Sequence, residues 1–143
     1  MANKTNLRIV LDTNALLRCI SRRSAYKSVI DQLFSKRFEL YISSDILLEY
    51  EEKLTEFFSA ETAELFLGAL TLLDNVKKTE VYFFLQLIII DPDDNKFVDC
   101  AFAGNVHYLV TDDRHYNILQ ERSFPKINIL KLDAFKDLLE NIM

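Results

Sequence analysis

Glycine is scarce in the 143-residue chain, which contains only Gly68 and Gly104. Walker A loops and G-x-G-x-x-G dinucleotide loops need several glycines, so that the backbone can approach phosphate closely. Both loops are therefore excluded, and no serine lies in the G-x-S-x-G elbow of an α/β-hydrolase. The two cysteines and two histidines lack the spacing of a zinc site. We expect both cysteines to be reduced thiols in a cytoplasmic protein.

Long apolar segments and an excess of basic residues are also missing. The longest apolar run, residues 81–90, is interrupted by Gln86 and is too short to span a bilayer. Because the N-terminus has no apolar signal segment, we expect no membrane association. The formal net charge is −5, from 22 acidic and 17 basic residues, whereas nucleic-acid-binding proteins are usually basic. With half of its residues apolar, the chain is expected to form one globular domain over residues 1–143.

Short β-rich runs alternate with helical patterns along the chain. The runs predict four strands, at residues 7–11, 38–42, 108–111 and 127–130. Helical spacing predicts helices from residue 24, after residue 44, over 60–73, from about 94, after 113 and from 133. This alternation favours an α/β fold with a parallel sheet covered on both faces.

The sequence contains two strongly apolar segments, at residues 81–90 and 60–73. Residues 81–90 fit a buried strand, an extended crossover or a self-association surface. In the helix over 60–73, the residues predicted to face inward are Leu65, Phe66, Ala69, Leu72 and Leu73.

Acidic residues follow the points where the predicted strands end. Asp12 comes directly after the first strand, and Glu49 lies just over one turn into the helix after the second. A cluster at residues 91–94 precedes a later helix, and Asp112 and Asp113 follow the third strand. Because ligands bind at the carboxyl ends of parallel strands, we expect these acids to converge. Converging carboxylates repel one another unless cations are present, and they favour Mg²⁺ or Mn²⁺.

Helical geometry distinguishes two of the later acids. With about 100° per residue, Asp94 falls near the centre of the apolar stripe of its helix, whereas Asp99 lies about 140° away. We therefore expect Asp94 to point towards the sheet edge, and Asp99 to support the site or face solvent. The residues alone do not choose between Asp112 and Asp113. Acids after strands also serve as turn residues or helix caps, so a metal site requires that the four positions meet.

Three motifs, in this order and with these gaps, resemble the PIN domain family of metal-dependent ribonucleases. They are V-L-D-T-N at 10–14, D-P-D-D-N-K-F-V-D-C-A at 91–101 and Y-L-V-T-D-D at 108–113, with Ser43 and Glu49-Tyr50 between the first two. The resemblance covers residues 7–135 and is to the branch of toxin components of toxin–antitoxin systems. It implies a three-layer α/β/α sandwich with a mainly parallel sheet, which cleaves RNA with metal-activated water.

The resemblance also implies roles for individual residues and partners. The acids that match the family's catalytic and metal-binding quartet for Mg²⁺ or Mn²⁺ are Asp12, Glu49, Asp94 and Asp113. The residues that match its supporting positions are Asn14, Ser43, Thr111 and Asp99. Asp112 stands where the family usually has a non-acidic residue, and we group it with the supporting residues. His107 is expected at a strand edge and His115 has no assigned role. An RNA substrate, an antitoxin partner and a homodimer are further expectations.

A stretch without acids lies between Asp12 and Asp31. Its basic residues are Arg18, Arg22, Arg23 and Lys27. Pairs four residues apart would share helix faces, and we expect the segment to bind RNA phosphates beside the acidic site, with Tyr26 stacking on a base. An ordinary solvated helix face has the same composition. The six acids at or beside the site account for the net charge, because the rest of the chain has 16 acidic and 17 basic residues.

Three functions other than a nuclease match parts of the sequence. An EF-hand is excluded, since Lys96 replaces its glycine and Phe102 its final glutamate. Phosphotransferases of the haloacid-dehalogenase class need a second Asp two residues after the first, and this chain has Asn14 there. The remaining alternative is a catalytically inactive PIN-like scaffold, or an RNA-binding or protein-interaction module. The complete acidic quartet argues against it.

Overall fold

A five-stranded parallel sheet forms the centre of the computed structural model, which describes residues 6–21, 23–88 and 91–141. The strands are β1 (Leu7–Leu11), β2 (Phe38–Ile42), β3 (Val76–Lys78), β4 (Tyr108–Val110) and β5 (Ile129–Leu130). Their order across the sheet is β3-β2-β1-β4-β5, and every neighbouring pair is parallel. The carboxyl end of β1 therefore lies between those of β2 and β4.

Helices flank this sheet. The α-helices are α1 (Thr13–Ile20), α2 (Lys27–Phe34), α3 (Ser44–Phe57), α4 (Ala60–Thr71), α5 (Asn95–Ala103) and α6 (Leu132–Asn141). Short 3-10 helices cover Pro92–Asp94 and Arg114–Glu121. Residues 9–11 of β1 are all buried, and because successive strand residues point to opposite faces, both faces of the sheet are covered there. The predicted α/β sandwich with a parallel sheet is confirmed.

Local sequence patterns located most elements but missed two. The four predicted strands and the helices after each of them are present. Strand β3 was not predicted, because it has only three residues and two of them are exposed lysines. Helix α1 was also missed, since residues 12–14 favour turns and caps; Asp12 does occupy the N-cap position, but the helix follows at once.

Helix α4 packs with a different face from the one predicted. The prediction of an inward Leu65, Ala69 and Leu72 is wrong, because all three are exposed, Leu65 and Leu72 by 67% and 86%. The predicted Phe66 and Leu73 do pack against the core and are partly buried. The buried residues of α4 are Ala63 and Leu70, which are seven residues apart and share a face. Apolar residues surround most of this helix, so their periodicity did not specify which face would meet the core.

Residues 81–88 form neither strand nor helix, so a buried strand is excluded there. The segment connects edge strand β3 to the 3-10 turn before α5, as a crossover does. Ile89 and Ile90, at the end of the predicted run, lie outside the described residues. In the parts of the chain that the structure describes, no helix is long and apolar enough to cross a membrane.

Candidate metal centre

Asp12 is buried where β1 meets α1. Its backbone N–H donates to the Val110 carbonyl of β4 at 3.0 Å, which joins the ends of the two strands. One carboxylate oxygen, Oδ2, accepts a hydrogen bond from the Thr111 hydroxyl at 2.8 Å. Burial raises the pKa of Asp12 from 3.8 to about 7, with the Thr111 bond opposing the shift and the nearby charges of Asp94 and Asp113 adding to it.

Asp94 reaches the same region from the turn that starts α5. The 3-10 helix begins with Pro92, and the Asp94 N–H donates to the Asp91 carbonyl at 3.0 Å. The side chain is buried beside His115, with 3.3 Å between Oδ2 and the imidazole Nδ1. Burial raises the pKa of Asp94, and the charges of Asp91 and Asp113 act in the same direction.

Asp113 closes the cluster from the end of β4. Its N–H donates to the Thr111 hydroxyl oxygen at 3.0 Å, and its Oδ1 accepts from the His115 N–H at 2.9 Å. The His115 Nδ1 also lies 3.4 Å from that oxygen, so the imidazole stands between Asp113 and Asp94. Thr111 thus connects Asp12 and Asp113 through one hydroxyl group.

Glu49 is fixed beside the cluster from helix α3. Ser43 caps this helix by accepting the Ile46 N–H at 3.3 Å, and the Tyr50 hydroxyl donates to the Leu11 carbonyl at 2.5 Å. These contacts hold α3 against the end of β1. The Glu49 carboxylate accepts a hydrogen bond from the Thr13 hydroxyl and pairs with Lys96, whose Nζ lies 2.7 Å from Oε1.

The side chain of Asp112 points away from the acidic cluster to which Asp113 belongs. It pairs with Arg18 of α1, and its Oδ1 accepts the Leu132 N–H at 3.0 Å, at the start of α6. The residues alone left the choice between Asp112 and Asp113 open, and the structure gives the two side chains different surroundings. Asp113 faces the other acids, and Asp112 ties α1 and α6 to the end of β4.

The remaining supporting residues have different surroundings. Asp99 is buried and accepts the Leu85 N–H at 3.0 Å, so the alternative in which it faces solvent is wrong. Asn14 is exposed on α1, and among the described residues it has no hydrogen bond that would draw it to the cluster. Lys96 and His115 were not predicted as site residues. Lys96 pairs with Glu49 and His115 with Asp94, and the members of each pair are distant in sequence and close only in the fold.

The basic segment does not form one helix, so the prediction of shared helix faces is wrong. Helix α1 ends at Ile20 and α2 begins at Lys27, because the Ser24 hydroxyl contacts the Arg18 carbonyl and accepts the Tyr26 N–H at 2.9 Å. Arg23 and Lys27 are exposed, and Arg22 lies outside the described residues.

Arg18 and Tyr26 are engaged with each other. The guanidinium lies 4.7 Å from the centre of the tyrosine ring and donates to its hydroxyl at 3.1 Å. The Tyr26 hydroxyl in turn contacts Asp133 of α6. These contacts give both residues a structural role beside the phosphate-binding and stacking roles predicted for them.

The donor set suits a divalent cation. The acids Asp94 and Asp113 are near enough to Asp12 for their charges to raise its pKa, although burial is the larger cause. Burial also raises the pKa of Asp94. One oxygen each of Asp91 and Asp94 and a ring nitrogen of His115 lie within 4.8 Å of one another. A hard divalent ion would offset the repulsion among these carboxylates.

Comparison with known proteins identifies a family and similar folds. The PIN domain family model matches residues 8–115. The fold is similar to VapBC2 from Rickettsia felis bound to a DNA fragment from its promoter, with a TM-score of 0.59, 17% identity, and coverage of 87% of this chain and 98% of that one. It is also similar to DNA-bound VapBC from Salmonella typhimurium, with a TM-score of 0.56, 18% identity, and coverage of 88% and 98%. No curated protein sequence matches significantly.

Proposed function

The chain belongs to the PIN domain family, and we propose that it is a metal-dependent endoribonuclease that acts as the toxin of a toxin–antitoxin pair. The observation that carries the proposal is the environment of Asp12. This side chain is 5% exposed, and within the described residues it has no ion-pair partner. A buried carboxylate without a counter-charge destabilises the fold. A scaffold would gain nothing from such a carboxylate, whereas a metal centre requires it as a ligand for the cation.

The residues that would hold the ion are Asp12, Glu49, Asp94 and Asp113, with Asp91 and His115 next to Asp94. Bound Mg²⁺ or Mn²⁺ would supply an activated water and would neutralise charge on the phosphate. The protein supplies the arrangement of the ligands: Thr111 orients Asp12 and receives the N–H of Asp113.

Lys96 is the one described cation paired with the quartet. It holds Glu49 at 2.7 Å, and both side chains are mostly buried. When Glu49 turns to a metal ion, the ammonium group becomes available to a phosphate oxygen of the substrate. We therefore assign Lys96 a role in holding the RNA backbone next to the acids.

Protein partners are supported by surface chemistry. Helices α3 and α4 expose several large apolar side chains, which are Leu48, Phe57, Phe58, Leu65 and Leu72. Large exposed apolar side chains on two helices that pack together are typical of protein interaction sites. Both structural neighbours are VapBC assemblies, which supports an antitoxin partner for this chain, and a homodimer would also cover apolar surface.

The test is a cleavage assay on single-stranded RNA, structured RNA and matched DNA, with Mn²⁺, with Mg²⁺ and with chelator. The wild type should cleave RNA only with a divalent ion, and Asp12→Asn should be inactive. Asp137→Asn, which removes an exposed acid of α6, is the matched control and should cleave normally. Cleavage by Asp12→Asn at the wild-type rate, or no cleavage of any substrate by the wild type, would favour the inactive scaffold.

A further inference from the structure

A cavity of about 330 Å³ opens beside the metal centre. The start of α3, the first turns of α5 and the connecting segment after β3 surround it. Ser43, Lys96 and Asp99 line its inner side. Lys96 also pairs with Glu49, so one side chain joins the lining of the cavity to the proposed metal ligands. Its opposite wall is Phe84.

Phe84 is held at this wall by its backbone while its ring stays accessible. The ring is 70% exposed. The next residue, Leu85, donates its N–H to Asp99 at 3.0 Å. Ile88 forms two hydrogen bonds with the Asn95 side-chain amide, of 2.8 and 2.9 Å. These bonds tie the backbone that follows Phe84 to α5.

The polar rim of the cavity carries negative charge. Asp45, Glu80 and Asp93 line it, and none of their carboxylates has an ion pair within residues 6–21, 23–88 and 91–141. This rim disfavours a second phosphate. A nucleobase is neutral, offers a flat face to a phenylalanine ring, and can present an exocyclic amino group to a carboxylate acceptor.

We infer that this cavity binds the nucleobase next to the cleaved phosphate, with Phe84 as its stacking surface. The acidic rim favours cytosine, adenine or guanine over uracil, because only these three carry an amino group. The inference rests on the proposed nuclease function and adds a substrate-binding site to it. Phe84 and the rim acids are binding residues here and take no part in the cleavage chemistry.

The test uses tryptophan as a reporter, since the chain has none. Phe84→Trp places an indole at the cavity wall, and Phe83→Trp places one at a neighbouring residue that is 71% exposed and does not line the cavity. Both variants are titrated with short single-stranded oligoribonucleotides in Ca²⁺. Binding is followed by the anisotropy of labelled RNA, and RNA integrity is checked on a gel. We expect RNA to quench the tryptophan emission of the Phe84→Trp variant. The emission of the Phe83→Trp variant should stay unchanged.

Affinity and base preference provide the second readout. Phe84→Ala should weaken RNA binding by about tenfold to a hundredfold, the usual range for loss of one stacked base, and Phe83→Ala should not. Oligocytidylate should bind about tenfold more tightly than oligouridylate. Combined replacement of Asp45 and Asp93 by Asn and of Glu80 by Gln should remove that difference.

Several outcomes would overturn the inference. One is RNA binding, seen by anisotropy, without any change in the emission of the Phe84→Trp variant. Another is a Phe84→Ala variant that keeps its RNA affinity but loses self-association in light scattering, which would assign the ring to a protein interface. Both leave the nuclease proposal intact. The absence of metal-dependent cleavage by the wild type would remove the nuclease proposal itself, and this site with it.

Discussion

The hydroxyl of Thr111 donates to the carboxylate of Asp12 at 2.8 Å, between the ends of the two central strands. Both residues are buried, so this bond is the main compensation for the charge of Asp12. It lowers the pKa of Asp12, against the larger opposing effect of burial. The same hydroxyl accepts the Asp113 N–H. Thr111 is therefore a positioning residue for two of the proposed metal ligands.

Replacing Thr111 with Val should move the activity towards alkaline pH. Without the hydrogen bond, the pKa of Asp12 rises further, and the carboxyl must lose its proton before it can bind a cation. RNA cleavage rates measured against pH in Mn²⁺ should show the acidic limb displaced upwards, with a loss of about tenfold to a hundredfold at neutral pH. Thr111→Ser keeps the hydroxyl and should restore the wild-type profile. Identical profiles for the Val variant and the wild type would contradict this role.

Asp12 should make the metal-free protein less stable as the pH rises. The folded-state pKa of about 7 lies above the unfolded value of 3.8, so between these values the folded state binds more protons. The free energy of unfolding should therefore fall from pH 4 to pH 7 and stay low above it, with an effect of about 2–4 kcal/mol. Urea denaturation in chelator should show Asp12→Asn to be more stable than the wild type at pH 8, with little difference at pH 4. A less stable variant at pH 8 would show that Asp12 has a counter-charge.

Replacing Asp112 with Asn and replacing Asp113 with Asn should affect different properties of the protein. Asp113→Asn should reduce RNA cleavage by about a hundredfold or more, because a ligand of the ion is lost. Asp112→Asn should lower the melting temperature slightly, because Arg18 loses its charged partner while the Asn amide oxygen still accepts the Leu132 N–H. It should keep the cleavage rate of the folded protein. Initial rates and thermal denaturation of both variants would check this. The reverse pattern would assign Asp112 to the metal centre.

Arg23 and Lys27 should contribute to RNA binding by charge alone. Both are exposed, Arg23 between α1 and α2 and Lys27 at the start of α2. Replacing both with Glu should therefore weaken binding and reduce the slope of log affinity against log salt by about 1.4, the value for two phosphate contacts on a single strand. Fluorescence anisotropy at several salt concentrations measures this slope. The double control Lys77→Glu with Lys126→Glu changes the same charge at other exposed positions. Equal slopes in the two double variants would leave the basic segment as ordinary solvated surface.

The sequence predicted those features of the site that depend on strand ends. Asp12 and Glu49 follow clear local patterns, and a parallel sheet brings such positions to one edge. The orientation of Asp113 depends on Thr111, because residues two apart in an extended chain point to the same side, and only the fold shows that Thr111 meets Asp12. Lys96 pairs with Glu49, which lies 47 residues earlier in the sequence, and no local sequence pattern predicts a contact over that separation.

The central claim, that the buried acids form a metal centre, is tested most directly by Mn²⁺ binding to the metal-free protein. Electron paramagnetic resonance of free Mn²⁺ measures this binding without any need for activity. The wild type and Asp137→Asn should take up Mn²⁺ at neutral pH with the same affinity, and Asp12→Asn should bind it far more weakly. Equal uptake by Asp12→Asn and the wild type would contradict the account.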